Sequence, residues 1–231
     1  MPLLRHLPNA LTICNLLCGC IGIIACDSRD AGVYAVPIII FAACVFDFLD
    51  GFAARLLKVS SPIGKELDSL ADMVTFGVLP ALFMGNYMLR TFDTLLSGVA
   101  LLLAVCSAIR LAKFNVDTRQ TEGFIGLATP ANALFIVTLP TALGSFGIKA
   151  ELYSLIAVIL LFSWLMVSPI RLFALKFKHF GWKGNELRFT FLAISVLLIG
   201  FFQVAGIPII IITYILASLF DSWRRAGTVS N

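Results

Sequence analysis

Charge is scarce in this sequence. Of its 231 residues, 13% are Asp, Glu, Lys or Arg, and only 2 are His. A soluble domain carries about 25% charged residues, so an ordinary water-soluble globule is excluded. A disordered chain is excluded as well, because disorder needs high charge and low hydrophobicity. The 17 lysines and arginines are spread along the chain and leave no basic face for a nucleic acid. Zinc-ligand spacing is missing: Cys14, Cys18, Cys20, Cys26, Cys44 and Cys106 form no C-x-x-C pair and no Cys/His cluster. They sit in or beside apolar stretches and read as small apolar fillers. The first apolar run lacks an A-x-A processing site and holds Asn9, Thr12 and Asn15, so it reads as a retained span and not as a signal peptide. Internal repeats and low-complexity linkers are missing too.

Apolar residues make up 60% of the chain. They gather in eight runs, roughly 8–26, 33–57, 68–89, 93–114, 129–148, 151–173, 189–204 and 206–221. A helix needs about 20 apolar residues to cross the hydrocarbon core. Helices are the expected element, because lipid offers backbone polar groups no partner. The expectation is an all-α integral membrane protein of about eight transmembrane helices, in a single membrane domain over 1–231. Eight crossings from a cytoplasmic N-terminus put 14 of the 17 lysines and arginines on the cytoplasmic side and leave Arg29, Arg90 and Lys149 on the other. That asymmetry follows the positive-inside rule. The seventh and eighth runs, separated only by Gln203 to Pro208, are either two crossings or one re-entrant hairpin.

One stretch breaks the apolar pattern. Phe46 to Asp72, FDFLDGFAARLLKVSSPIGKELDSLAD, puts Asp47, Asp50, Asp68 and Asp72 in or beside two spans. An acid at membrane depth costs about 3 kcal/mol and usually marks a site. At about 100° per residue, Asp47, Asp50, Gly51 and Ala54 share one helix face, with Arg55 at its edge. Gly64, Asp68 and Asp72 follow at i,i+4 steps and share another face. Ser61, Pro62 and Gly64 break the chain between them. The two helices are therefore expected to be antiparallel neighbours, with their acidic faces meeting near the cytoplasmic surface. Four carboxylates in one pocket repel one another unless protons or cations intervene. All-oxygen ligands favour hard ions such as Mg2+, Mn2+ or Ca2+. Two divalent cations suit four carboxylates, and paired metals serve phosphoryl transfer. Gly51 and Ala54 take bulk off the same face, for a ligand, for helix packing or for both. Arg55 and Lys65 supply positive charge for phosphate oxygens.

Asp47-x-x-Asp50-Gly51-x-x-Ala54-Arg55, then eight residues, then Gly64-x-x-x-Asp68-x-x-x-Asp72, resembles the signature of the CDP-alcohol phosphotransferase family at every motif position. The resemblance implies a helical bundle of that type, with a core over about 8–175 and an additional helical pair over about 189–221. It implies an enzyme that cleaves the pyrophosphate of a CDP-linked lipid or alcohol, passes a phosphatidyl-type group to an alcohol and releases CMP. It gives Asp47, Asp50, Asp68 and Asp72 to two divalent cations, Mg2+ or Mn2+, and makes Asp72 the general base on the acceptor hydroxyl. It gives Gly51, Ala54 and Arg55 to the cytidine nucleotide and its phosphates, with Gly64 and Lys65 beside them.

Three further runs are similar to the membrane-spanning phosphatidylserine synthases of bacteria, whose acceptor is L-serine: LPNALTICNLLCGCIGI at 7–23, IRLAKFNV at 109–116 and GLATPANA at 126–133. Ala128 departs from the more usual GLPSP-like run. This likeness implies CDP-diacylglycerol and L-serine as substrates, CMP as a product, membrane lipids as surroundings, and a homodimer. It also implies a multi-pass protein of a bacterial inner membrane, with the active site at the cytoplasmic face. Arg110, Lys113 and Asn115 are the candidate serine ligands. Arg110 offers a two-point bond to a carboxylate; otherwise both cations reach out to headgroups. Thr12 and Asn15, three apart on the first span, bond either the nucleotide or a neighbouring helix. Glycerol phosphate, inositol or inositol phosphate, and choline are the alternative acceptors. Outside the family the alternative is a cation-coupled transporter, which predicts acids at mid-membrane and inverted repeats.

Overall fold

A proline opens the first long helix. Pro8 sits in the first turn of α1 (Leu7–Ala25), where a missing N–H leaves no bond unmade. In the computed structural model the described residues are 3–28, 32–59, 61–116, 124–172, 181 and 185–229. The second helix, α2 (Gly32–Leu57), runs along α1. One of its faces, Tyr34, Ile38, Phe41, Val45, Phe48 and Phe52, is exposed, while Val36, Ile40 and Ala43 are fully buried. A helix that is apolar on both faces turns its outer one to lipid.

Two caps then reverse the chain. Lys58 has a φ of 53°, and the Val59 N–H returns to the Ala54 carbonyl at 3.0 Å, which closes the end of α2. Ser61 caps α3 (Pro62–Asp72): its Oγ accepts the Gly64 N–H at 2.9 Å, and Pro62 fills the first turn. Helix α1 lies against both α2 and α3.

A single rod continues from Pro62 to Phe92 through a π-helical turn, Met73–Val78, into α4 (Leu79–Phe92). Pro80 accounts for the wide turn. Its ring has no N–H and crowds the carbonyl four residues back, on Phe76, and a π turn absorbs such a break. Thr75, inside this turn, donates to the Asn15 carbonyl at 3.0 Å and ties the rod to α1. After Asp93, a 3-10 turn capped by the Thr94 hydroxyl leads into α5 (Leu101–Val116).

The remaining helices are α6 (Thr129–Ser145), α7 (Leu152–Val167), α8 (Glu186–Phe202) and α9 (Gly206–Val229). Helix α6 serves two apolar clusters. Phe135 and Ile136 join Met84, Leu103 and Ile159, while Ala133 and Val137 join Ile40, Phe76 and Leu79. Among the described residues one short strap, which the sequence pattern did not announce, is extended. Strand β1 (Phe124–Ile125) pairs antiparallel with β2 (Arg171–Leu172). Beside it the Gly126 N–H reaches the Ile170 carbonyl at 2.9 Å, and the Leu127 N–H reaches the Leu165 carbonyl at 3.0 Å. The strap pins the start of α6 to the end of α7.

Each of the eight expected spans coincides with a helical stretch among the described residues. Five such stretches are long and apolar enough to cross a membrane: Leu7–Ala25, Gly32–Leu57, Pro62–Phe92, Leu95–Val116 and Glu186–Arg224. Helix length therefore does not uphold a count of eight crossings. Helices α6 and α7 have 17 and 16 residues, which is about 25 Å of rise against a hydrocarbon core of about 30 Å. Helices α8 and α9 fall in one apolar stretch, broken at Gln203, where φ is 50°, and they pack on each other as a hairpin.

Gly126 has a φ of 75°, and a Cβ there would lie 2.4 Å from the Met166 carbonyl oxygen. Gly126→Ala is expected to cost at least about 1–2 kcal/mol, read as a fall in the thermal midpoint of the detergent-solubilised protein. Gly144→Ala, where an added Cβ meets nothing within 4 Å, is the control that shows no such fall.

Candidate active site

The reversal between α2 and α3 brings the acids together. One carboxylate oxygen from each of Asp47, Asp50 and Asp68 lies within 4.8 Å of the other two. Asp50 is 6% exposed, and Asp47 and Asp68 are half-buried. Among the described residues no lysine or arginine comes within ion-pair distance of any of the four acids; Arg90 pairs with Asp27, at 3.4 Å. Asp68 Oδ1 is buried without a hydrogen-bond partner. Three anions this close, with no counter-charge and one orphaned oxygen, fit a hard divalent cation.

Asp72 stands one turn further along α3 and does not join this triad. Its Oδ1 accepts the Asn15 Nδ2–H at 3.1 Å. Thr12 Oγ1 lies 2.7 Å from Asp50 Oδ2, with the Pro8 carbonyl at 3.1 Å as the competing acceptor. A hydroxyl has one proton to give, and the carboxylate is the stronger acceptor. Thr12 and Asn15, three apart on α1, thus each hold one acid.

Beside the triad lies a cavity of about 520 Å³. Asp50, Gly51, Ala54, Gly64, Lys65 and Asp68 line it from α2 and α3. The chain leading into α1 adds Arg5 and His6, and α1 adds Asn9 and Thr12. The two glycines do different things. A Cβ on Gly51 would meet nothing within 4 Å, so this face of α2 is open to a ligand. A Cβ on Gly64 would lie 2.9 Å from Ser61 Oγ and 3.0 Å from Asn9 Oδ1, so Gly64 lets α1 and the cap come close.

The other expected site residues divide. Lys65 Nζ donates to the Asn115 carbonyl at 2.8 Å, and Asn115 Nδ2 donates to Ser69 Oγ at 2.9 Å. These bonds tie α3 to the end of α5. Arg55 is exposed and does not line the cavity, and Lys113 is exposed as well. Arg110 is 8% exposed, its Nε has no hydrogen-bond partner, and Asp72 is its foremost electrostatic neighbour. Arg5, His6 and Asn9 are lining residues that reading the sequence missed. Their signal was a polar cluster placed just before and within the first span, ahead of Thr12.

A family model for CDP-alcohol phosphatidyltransferase matches residues 5–175. The chain belongs to this family. It is a multi-pass membrane protein, and CDP-alcohol phosphatidyltransferases use divalent metals. Several relatives are named CDP-diacylglycerol–serine O-phosphatidyltransferase. The one from Bacillus subtilis is 34% identical over 184 residues, which are 77% of this chain and 92% of the relative. The one from Methanocaldococcus jannaschii is 37% identical over 134 residues, 58% of this chain and 61% of the relative. The one from Helicobacter pylori is 37% identical over 132 residues, 56% of this chain and 55% of the relative. Helices α8 and α9 lie beyond the residues that the family model matches.

Thr12→Val keeps the shape of the side chain and removes its bond to Asp50. Divalent-ion affinity is expected to fall at least about 10-fold, measured as the Mg2+ concentration that gives half of the maximal thermal stabilisation.

Proposed function

We propose that this protein moves the phosphatidyl group of CDP-diacylglycerol onto the hydroxyl of L-serine, giving phosphatidylserine and CMP. The acid triad beside an open face of α2, at the edge of a cavity with cationic lining, carries this reading. The names of the relatives agree in donor and acceptor.

Asp47, Asp50 and Asp68, with Asp72 beside them, are the residues that would hold Mg2+ or Mn2+. Two such ions would balance four carboxylates, offsetting charge on the phosphate oxygens and on the departing CMP. Gly51 and Ala54 leave room for the nucleotide along α2. Arg5 and Lys65 face its phosphates, with Gly64 at the base of that wall and Arg55 adding positive charge further out. Asn15 holds one Asp72 oxygen and so aims the other. Asp72 takes the serine hydroxyl proton as the serine oxygen bonds to phosphorus. The bond from phosphorus to CMP breaks, and CMP leaves with the electron pair. Arg110, buried and with an unmet Nε, would take the serine carboxylate. Lys113 and Asn115 stand further along α5, towards the rim.

The acids lie towards the end of α2 that the positive-inside pattern puts in the cytoplasm. This favours an active site at the cytoplasmic face of a bacterial inner membrane, with the acyl chains of the donor still in lipid. The chain is one domain, 1–231, with its core over about 8–175 and the α8–α9 hairpin added to it. A homodimer belongs to the same reading.

Purified protein in detergent, supplied with CDP-diacylglycerol and Mg2+, is expected to release CMP when L-serine is added. Glycerol 3-phosphate or inositol should give at most a tenth of that rate. Faster release with either of them would replace serine as the acceptor; no release with any acceptor would remove the enzyme reading and favour a transporter. Asp72→Asn is expected to lower turnover about 10²–10⁴-fold with the thermal midpoint kept; retained turnover would show that Asp72 is not the base.

A further inference from the structure

Two buried polar side chains on α6 have no part in the arrangement described so far. Asn132 is 0% exposed, and neither Oδ1 nor Nδ2 has a hydrogen-bond partner. Thr129 is 1% exposed, and its Oγ1 is also unmet. They stand three apart in the first turn of α6 and so share a side of it. Buried amides and hydroxyls nearly always find partners. An asparagine with both polar atoms idle is therefore waiting for something that the described residues do not supply.

Their place in the bundle says what that is. Thr141 Oγ1 donates to the Val33 carbonyl at 3.3 Å, which fixes how α6 runs past α2. Ala133 and Val137 share an apolar cluster with Ile40 and Ala43, so the two helices are antiparallel. Counting equal steps from the Thr141 contact, Thr129 comes level with Val45 and Asn132 with Ala42, so at about 1.5 Å per residue the start of α6 lies about 3 Å short of Asp47 along α2. Helix α6 also packs on the π turn that begins directly after Asp72. Arg110, another buried group with an unmet donor, has Asp72 and Tyr214 as its electrostatic neighbours, and Tyr214 comes from α9, which packs on α6.

The start of α6 has a further property. Its N-cap is Ala128, which provides no side-chain cap. The first N–H groups of a helix have no partner within it, and the helix dipole makes that end attractive to an anion. Uncapped N–H groups, a hydroxyl, an amide and a guanidinium make a set suited to a carboxylate beside a group that donates hydrogen bonds. Thr129 Oγ1, the α6 amides and Arg110 supply the donors. Asn132 Oδ1 supplies an acceptor, and Asp72 is near. An α-amino acid zwitterion has that pairing of charges. Phosphate-bearing acceptors lack the ammonium, and choline lacks the carboxylate.

We propose that Thr129 and Asn132, at the uncapped start of α6, complete with Arg110 the pocket that receives the carboxylate and ammonium of the acceptor amino acid. This rests on the serine reading above. It moves acceptor recognition inward from Lys113 and Asn115 to the π turn, on which both α5 and α6 pack.

Wild-type turnover with L-serine tests the function on which the pocket rests, and the variants test the pocket. Thr129→Val and Asn132→Leu are each expected to raise KM for L-serine at least tenfold, with KM for CDP-diacylglycerol changed less than twofold and the thermal midpoint kept. Thr129→Ser, which keeps the hydroxyl, should stay within twofold of wild type. L-serine added without donor should raise the wild-type thermal midpoint in a saturable way, and in Asn132→Leu this should need at least tenfold more serine. Ethanolamine, which lacks the carboxylate, should be a poor acceptor for wild type and lose its relative disadvantage in Thr129→Val. Wild-type turnover with serine together with an unchanged serine KM in both variants would overturn the pocket and leave the function standing. Equal rises in KM for serine and donor would also overturn it. Absence of serine turnover in wild type would overturn the function and the pocket together.

Discussion

Three carboxylates held within 4.8 Å of one another in an apolar bundle, with no lysine or arginine in ion-pair reach among the described residues, set the terms for the rest of this protein. At an effective dielectric of about 20, each such pair of charges repels by about 3 kcal/mol. That is a large part of the 5–15 kcal/mol by which a domain of ordinary stability stays folded. The bundle must therefore hold the acids in place by other means until a cation offsets them. The means are local and polar. The Lys58 and Ser61 caps turn the chain, and two side chains on α1 each grip one acid.

Helix α1 is thus a frame for the site more than a wall of it. Thr12 bonds Asp50, Asn15 bonds Asp72, and the Asn15 carbonyl takes the Thr75 hydroxyl from the π turn. Asn9 sits where any side chain larger than glycine at position 64 would collide with it. Thr12 and Asn15 reach neighbouring helices, where the atoms they meet are the acids themselves, and Thr12 also lines the cavity. The division into a triad and a fourth acid follows from the same contacts.

The acids were legible in the sequence because helical periodicity is a local property: Asp47 with Asp50, and Asp68 with Asp72, fall on faces that spacing alone determines. The reversal was legible too, since Ser61 and Pro62 carry their cap chemistry in their side chains. What lay beyond reach depended on partners far along the chain. Pro80 opens a turn four residues before itself, and the strap joins residue 124 to residue 172. Hydropathy marked 129–148 and 151–173 as spans but does not register where a helix stops, so α6 and α7 came out shorter. The sign of Arg55 and Lys113 was plain, but their side of the helix was not, and both proved exposed. Thr129 and Asn132 were hidden inside an apolar run, where only burial without a partner distinguishes them.

The cavity opens between the ends of α1, α2 and α3, the exposed Ile63 lines it, and Phe52 and Leu56 stand exposed on the same end of α2. Any donor with acyl tails would reach such a site sideways, as a solute in two dimensions. Its encounter rate then depends on lateral diffusion and on its mole fraction in the leaflet, and dilution in bulk water has no bearing on it. The water-soluble reactant obeys ordinary volume concentration. The same few ångströms of protein therefore join two supply lines that answer to different laws of mass action.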